Sequence, residues 1–501
     1  MGLMSGMGSG VNNILGDRAV GKAHRVLLGL PLVVLPFLLG GARPWFWSFI
    51  AGIFAVSLAW SLWSEPEPWH GGNLSKKWLV GLGLLLLYPL FQTLPLSPSW
   101  IGQLSPTLMA WKERAKDVAL APSGYFSISY SPLVTFFSVL WWFFLAAYGL
   151  LFRKSVRGAS DLGWFYNTLF WVAGLEAFYG LLQTLIPSLG VLWFWEPTGA
   201  GFARGTFVNR NHYAAFLGML WPVLLGCLLS VRAASEYHHS VSNAELEQQK
   251  KARQKTWFLA FVIGLALLGL FFSQSRGGIL GALIASTVFV VFGRKQHRKR
   301  AVVFFLGCWL VMFAYGSIIG FHGIVERFDG LEKAAPPRLN IWGDSLRLIQ
   351  DHWLTGTGLG THPEVIRVYQ SHLTDQYDVV HAHSDYLELA AELGVPVAVM
   401  MVLLAWGYWW ASALRIATLR RAVRSKEYGV RSENAVRSWE KGEGSEELGV
   451  GCGLEVEKRR LLALGALAGS AAFLCHCWVE FNWQIPANQL YFIVLLVLMR
   501  V

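Results

Sequence analysis

The stretch GFARGTFVNRNHYAAFLGML crowds cationic and amide side chains against a run that then becomes wholly apolar. These side chains are Arg204, Asn209, Arg210, Asn211 and His212. Ionisable groups at membrane depth are costly, and they usually bind something or pair with one another. A guanidinium binds phosphate through two parallel hydrogen bonds and keeps its charge, which favours an anion site here. The alternative is an interfacial anchor whose arginines snorkel to the membrane surface.

A further arginine, Arg276, lies in SQSRGG, a short polar break between two apolar runs. The flanking residues Ser275, Gly277 and Gly278 are small, so another backbone or a ligand can come close to the arginine. We interpret Arg276 as a second phosphate-binding residue. A lone snorkelling arginine is the alternative.

Two histidines, His381 and His383, lie in the polar group HAHSD. Asp385 and Glu388 have capping-box spacing and predict a helix that ends at Gly394. His383 then precedes a helix N-terminus, whose dipole disfavours imidazolium and keeps the ring competent as a base. Histidines on a loop are otherwise simply solvated.

Together these residue types indicate one chemistry. Arginines at an outer membrane interface can hold a diphosphate, while a neutral histidine takes the proton of an incoming hydroxyl. This is what displacement of a polyprenyl diphosphate from a sugar anomeric carbon requires. For Glu480 and Asn482, in a short turn near the end of the sequence, we favour a structural role that orients helices.

The elements that must position these residues are membrane helices. Of the 501 residues, 54% are hydrophobic and 15% are charged, well below the charged fraction of about 25% in soluble proteins. Apolar stretches of the length needed to cross a bilayer recur along the chain, and we count about twelve. They are 26–41, 44–63, 78–95, 132–152, 162–188, 212–231, 257–272, 278–293, 301–320, 394–412, 460–478 and 487–500.

The basic residues indicate the topology of these helices. Most of the 42 Lys and Arg residues fall on alternate loops, which predicts that those loops are cytoplasmic. RKQHRKR at 294–300 is therefore interpreted as a topological anchor, and no nucleic-acid partner is expected. The five cysteines have no framework spacing, and CHC at 475–477 lacks the further pair of a closed metal site. No metal and no cofactor is expected.

Three segments follow from these spans. Residues 1–320 hold nine helices with the outer-face arginine motifs, 321–393 form a large periplasmic catalytic loop, and 394–501 hold three helices and a charged cytoplasmic loop at 413–459. In the large loop, RLNIWGDSLRLIQDHW predicts an amphipathic helix that begins near Arg338, a weaker candidate for the phosphate clamp. GTGLG is interpreted as a turn because no strand precedes it. Another outer loop, 96–131, predicts a short interfacial helix.

Four motifs in order resemble those of the O-antigen ligase/polymerase superfamily: GTFVNRNHYAAFL, SQSRGG, RLNIWGDSLRLIQDHWLTGTGLG and HAHSDYLELAAELG. The resemblance covers roughly 170–500. The ligase histidine motif is met by His383, Ser384 and Gly394, whereas Val397 stands where the family usually has Gly, Thr or Tyr.

The resemblance implies an all-α, GT-C-like, metal-independent inverting glycosyltransferase of the bacterial inner membrane, with its active site facing the periplasm. The donor would be an undecaprenyl-diphosphate-linked glycan. His383 would be the base, and Arg204 and Arg276 would bind the diphosphate. Further substrate-binding residues would be Asn209, Arg210, Asn211, His212, Arg338 and His381.

Several functions remain open at this level. The first is an O-antigen ligase with lipid A–core as acceptor, and the alternative is an O-antigen or exopolysaccharide polymerase with a second lipid-linked glycan as acceptor. A lipid-linked glycan transporter is less favoured, because its charges should lie near mid-membrane and the candidates here gather at the outer face. A structural envelope subunit would make the arginines and His383 replaceable.

Overall fold

The computed structural model describes residues 25–42, 48–56, 76–116, 125–156, 162–192, 201–237, 243–293, 331–370, 380–429 and 446–500, with scattered positions between 299 and 314. Within these ranges the chain is mainly helical, with no extended strand and with an isolated bridge between Leu96 and Phe126. The expected all-α class is confirmed for this part of the chain.

Most of the longer helices follow the predicted apolar stretches, whereas those at 98–104, 106–116, 331–351 and 385–393 lie in the predicted outer loops. In chain order they are α1 (Arg25–Phe37), α2 (48–56), α3 (Lys76–Thr93), α4 (Pro98–Leu104), α5 (Pro106–Lys116), α6 (Pro132–Ser155), α7 (Gly163–Leu185), α8 (Arg210–Tyr237), α9 (Asn243–Phe272), α10 (Arg276–Phe292), α11 (Leu331–Asp351), α12 (Asp385–Leu393), α13 (Val395–Gly429), α14 (Glu446–His476) and α15 (Pro486–Leu498).

Four of the described helices are long and apolar enough to cross a membrane. They are Pro132–Ser155, Arg210–Ser235, Gln249–Phe272 and Val395–Leu419. Shorter apolar helices are Arg25–Phe37, Arg276–Phe292 and Pro486–Leu498. Much of the predicted spans 44–63 and 301–320, and most of RKQHRKR at 294–300, lie outside the described residues. The count of twelve spans therefore stays a prediction.

The central helix is α8. Its apolar window is 89% buried, against 22–39% for the other three long helices. Glycines let α14 approach it closely: a Cβ at Gly465 would lie 2.6 Å from the Pro222 carbonyl, and one at Gly469 would lie 2.4 Å from the Met219 carbonyl. Small residues at such crossings permit backbone contact between membrane helices.

Two sequence expectations about loops need correction. The predicted interfacial helix in 96–131 is two helices, α4 and α5, separated at Ser105. In the predicted cytoplasmic loop 413–459, the described residues 413–429 and 446–459 are helical, because α13 continues to Gly429 and α14 begins at Glu446. Apolar periodicity predicts the part of a helix that lies in the membrane. It does not show how far the helix continues into a charged sequence.

The large loop docks onto the helices through its glycine turn. Gly356, Gly358 and Gly360 all have positive φ, as the predicted GTGLG turn requires. A Cβ at Gly358 would lie 2.4 Å from Ser129 Oγ, so the turn packs directly against the segment before α6. The buried Gln92 of α3 donates to the carbonyls of Thr355 and Glu392, both at 2.8 Å. Residues 321–330 and 371–379 of this loop lie outside the described ranges.

Candidate active site

One end of the bundle collects the predicted motifs, because α8, α10, α12 and α15 begin there and α9 and α14 end there. At its centre is Glu480, in the turn after α14, with a side chain that is 1% exposed. Its Oε1 lies 2.7 Å from His383 Nδ1, and its Oε2 accepts a hydrogen bond from Arg338 Nη2 at 3.0 Å. Asn211 Nδ2 also donates to Oε2. Three predicted site residues from separate segments thus meet on one carboxylate.

The electrostatics keep Glu480 ionised. Burial is the largest influence and acts to raise the pKa of this carboxyl group. The hydrogen bond and charge of His383, together with the charge of Arg338, outweigh burial and lower the pKa to about 2. Sequence reasoning assigned Glu480 a structural role. The signal it passed over was an acid in a short turn between two apolar runs, opposite in sign to the gathered arginines.

The Glu480 carboxylate fixes the orientation of the His383 ring. Because Nδ1 faces this carboxylate, Nδ1 carries the proton and Nε2 is the unprotonated ring nitrogen. The residue has φ 48°, a backbone conformation that non-glycine residues rarely adopt and that concentrates at functional sites. The predicted helix N-terminus follows, since α12 begins at Asp385. The Glu480 carboxylate lies against the same ring.

The predicted capping box of α12 does not form. Ser384 is the N-cap residue and makes no side-chain capping bond. Asp385 Oδ2 instead accepts from the Trp483 amide at 2.9 Å, and Glu388 Oε2 accepts from the Ala382 amide at 3.2 Å. Both carboxylates bind residues outside the helix, which fixes the histidine loop and the turn after Glu480 in place.

A second histidine–carboxylate pair lies beside the first. His381 Nδ1 is 2.9 Å from Glu388 Oε1, and Glu388 is 1% exposed. Burial acts to lower the pKa of His381, but the charge and hydrogen bond of Glu388 raise it on balance. His381 therefore keeps its proton to a higher pH than a free histidine does.

The ring of Phe481 separates and orients the histidines. It stacks on His381 with ring centroids 4.2 Å apart and meets His383 edge-on at 5.0 Å. His212, at the start of α8, meets the same ring edge-on at 4.6 Å. Phe481 was not predicted as part of the site, because the sequence does not show which rings it contacts.

The loop that carries Arg204 is fixed by α7. Buried Glu176 accepts from the Thr206 amide at 3.0 Å and from Thr206 Oγ1 at 2.5 Å. Gln183 Oε1, two turns along the same helix, accepts from the Arg204 amide at 3.1 Å. Gly205 has φ 54°, and a Cβ there would lie 2.2 Å from a Glu176 oxygen. Glu176 and Gln183 were not predicted, although polar residues inside the apolar run 162–188 were a readable signal.

The remaining arginines lie at helix starts on this end. Arg210 is the first residue of α8, and its guanidinium carbon lies 4.3 Å from the centroid of the Phe202 ring. Arg276 is the first residue of α10. The Ala203 amide donates to the Phe272 carbonyl at 3.0 Å, which joins the Arg204 loop to the end of α9.

Two residues beside these arginines have structural contacts. Asn209 Oδ1 accepts from the Asn211 amide at 2.8 Å and so caps the start of α8. Gly277 admits the ring of His476, since a Cβ there would lie 2.4 Å from it. Of the two explanations for the small residues around Arg276, helix packing is the one that this contact supports.

The fold and site are those of an integral membrane protein with a buried carboxylate that joins a histidine, an arginine and an amide. The O-antigen ligase family model matches residues 260–402. The match includes Arg276, Arg338, His381 and His383, and it confirms the resemblance to the O-antigen ligase/polymerase superfamily. It supports ligase- or polymerase-type function of a glycosyltransferase-like enzyme. No curated protein matches the chain.

Proposed function

We propose that this protein is a twelve-span, GT-C-like glycosyltransferase of the bacterial inner membrane whose active site faces the periplasm. It moves a glycan from an undecaprenyl-diphosphate-linked donor to an acceptor hydroxyl, as an O-antigen ligase does with lipid A–core. The observation that carries this proposal is the contact between His383, which lies inside the family match, and buried Glu480, which lies beyond it.

In the proposed reaction, the acceptor hydroxyl attacks the anomeric carbon of the donor sugar with inversion. The hydroxyl proton passes to His383 Nε2, while Glu480 holds Nδ1 and stabilises the imidazolium that results. The bond from the anomeric carbon to the phosphate oxygen breaks, and undecaprenyl diphosphate leaves with the electron pair. No metal or nucleotide sugar takes part in this proposal.

The cationic side chains share the diphosphate. Arg204 and Arg276 are the proposed phosphate ligands, because guanidinium groups match phosphate oxygens in geometry and charge. Arg210 and the His381 imidazolium supply further positive charge at the same end of the bundle. Arg338 already donates to Glu480, so its main role is to keep this carboxylate ionised and in place.

A polymerase is the second candidate. Val397, near the start of α13, departs from the ligase histidine motif, and an acceptor other than lipid A–core is consistent with that departure. The chemistry at His383 would be unchanged, since a hydroxyl of a second lipid-linked glycan would take the place of the lipid A–core hydroxyl.

Product analysis tests the proposal and separates the two acceptors. The purified protein is incubated with undecaprenyl-diphosphate glycan and either lipid A–core or further donor. A ligase gives lipid A-linked glycan, and a polymerase gives chain-extended donor. Glu480→Gln should abolish most product, while Glu364→Gln removes an exposed carboxylate from the same loop and should leave product formation intact. Absence of both products with folded wild-type protein would contradict the proposed function.

Orientation is tested separately by labelling. Glu364 is exposed near the site, and Lys250 is exposed on α9 far from it. In a cysteine-free background, a cysteine at 364 should react with an impermeant maleimide in spheroplasts, and one at 250 should react only after lysis. The reverse pattern would overturn the periplasmic placement.

A further inference from the structure

At the end of the bundle opposite the candidate site lie arginines of three helices and one arginine that follows the end of α15. Their positions show this placement: Arg415 lies 20 residues beyond the start of α13, or about 30 Å along the helix. Likewise α6 and α15 begin at the site end and finish here, and α14 begins here. The four residues are Arg153, Arg415, Arg459 and Arg500.

These guanidinium groups lie close enough to repel one another. Arg415 is half-buried, and it experiences the charges of Arg500, Arg153 and Arg459. Among the described residues nearby, Glu455 pairs with Arg459 at 3.3 Å. Glu457 is occupied by a different arginine, Arg460, through two bonds of 2.8 Å. Among the described residues, Arg415 and Arg500 therefore have no carboxylate partner.

Arg415 and Arg500 are held by a backbone carbonyl and an aromatic ring. Arg415 Nη1 donates to the backbone carbonyl of Arg500 at 2.5 Å. The Arg500 guanidinium lies 4.9 Å from the centroid of the Tyr408 ring, and the Tyr408 hydroxyl donates to the Leu496 carbonyl at 2.8 Å. These contacts hold the Arg415 and Arg500 side chains near each other, a geometry suited to an anion with several oxygens.

The helix surface next to the cluster is apolar and exposed. On α13, Trp410 is 57% exposed and Leu414 is 54% exposed, immediately before Arg415. Leu403 continues this face two turns earlier at 67%. A soluble anion would not contact such a face. The acyl chains of a lipid would lie along it, because α13 is long and apolar enough to cross a membrane.

We infer that Arg153, Arg415, Arg459 and Arg500 form a binding site for the phosphate headgroup of an anionic phospholipid, with its acyl chains along the exposed face of α13. Basic pockets between membrane helices recognise anionic headgroups through charge and hydrogen bonds. The site is separate from the proposed catalytic site, and a binding measurement tests it without any assay of glycan transfer.

The experiment is native mass spectrometry of the full chain in neutral detergent with a few phosphatidylglycerol molecules per protein. Phosphatidylcholine and inorganic phosphate serve as parallel ligands. The variants are Arg415→Gln and the double variant Arg415→Gln/Arg459→Gln. Arg232→Gln is the matched control, since Arg232 is an exposed arginine near the C-terminal end of α8, at the same end of the bundle. Thermal unfolding of each lipid-free variant checks the fold, and removal of mutual repulsion should leave the melting temperature equal or higher.

Wild type should bind one phosphatidylglycerol in preference to phosphatidylcholine. Arg415→Gln should weaken this binding about fivefold and the double variant about 25-fold, with Arg232→Gln within twofold of wild type. Equal weakening by Arg232→Gln, or no preference over phosphatidylcholine, would overturn the site. Inorganic phosphate that competes at equal concentration would overturn the assignment to a lipid.

Discussion

The two histidine–carboxylate pairs beside Phe481 have the same composition but different surroundings. His383 and His381 each place Nδ1 within 2.9 Å of a glutamate that is 1% exposed. Glu480 also accepts from Arg338 and Asn211, whereas Glu388 accepts from the Ala382 amide. An arginine thus shares the charge of the first carboxylate, while the charge of Glu388 stabilises the His381 imidazolium. Because of this difference, we assign the base to His383 and the phosphate-binding cation to His381.

The largest expected effects come from the first pair. His383→Ala and Glu480→Gln should each lower turnover by about 10²–10⁴-fold, the usual contribution of a general base. Because the two residues act as a unit, the double variant should be little worse than the more impaired single variant. This double-mutant cycle is measured by the turnover numbers of wild type, both single variants and the double variant at saturating donor.

A matched cycle uses the second pair. His383→Ala combined with Glu388→Gln should show effects that multiply, because Glu388 acts through His381. If the effects of His383 and Glu480 multiply while those of His383 and Glu388 do not, His383 acts with Glu388 and not with Glu480, which would contradict the pairing.

Arg276→Lys sharpens the comparison by testing diphosphate binding apart from proton transfer. The charge is kept, but an ammonium group cannot form the two parallel bonds of guanidinium. Activity should therefore fall by about tenfold or more. Steady-state kinetics should show the loss in kcat/KM for the donor. Arg367→Lys is the control, because Arg367 is an exposed arginine in the large loop 321–393. Near-normal turnover of Arg276→Lys would reduce Arg276 to an anchor.

The second pair predicts a pH dependence of donor binding. Glu388 and Glu480 raise the pKa of His381 against the effect of burial, and His362 and His212 also lie nearby. The cation is present below this raised pKa and is lost as pH rises through it, so the donor KM should increase at alkaline pH. His381→Gln should remove this increase and lower turnover less than tenfold.

Glu388→Gln gives the opposite control for the same titration. Without the carboxylate, the transition in donor KM should move to lower pH. Identical pH profiles of KM in wild type and His381→Gln would show that His381 does not bind donor as a cation.

The smallest effect on catalysis should come from the glycine turn that docks the loop. Gly358→Ala places a side chain at φ 108° and against Ser129, which should lower the free energy of unfolding by about 1–3 kcal/mol. Turnover of the folded fraction should change by less than twofold. Gly343→Ala is the control, because it is helical with open space around it and should be neutral or stabilising. Denaturant unfolding in detergent measures both, and equal stabilities would contradict the docking role.

The sequence predicted the local elements better than the contacts between them. The helix through Arg338, the helix that ends before Gly394 and the GTGLG turn all follow from periodicity and glycine placement, which act over a few residues. The roles of Glu480 and Glu176 did not follow. Each carboxylate acts on a segment that is distant in the chain, and spacing carries no record of such contacts.

The capping box of α12 shows the same limit. Asp385 and Glu388 have the required spacing, but Trp483 and Ala382 provide alternative donors for their carboxylates. A local pattern predicts a local bond only where no stronger tertiary partner is present. The residue types of the site were therefore readable, and the pairing among them was not.

The most direct test of the account compares His383→Ala with His381→Ala in a single-turnover transfer assay, with donor binding measured on the same samples. We predict that His383→Ala inserts normally, still binds lipid-linked donor and transfers glycan about 10²–10⁴-fold more slowly, while His381→Ala is much less impaired in transfer. Wild-type transfer by His383→Ala with an inactive His381→Ala would show that the base is misassigned. Normal transfer by both variants would contradict a catalytic role for this pair of histidines.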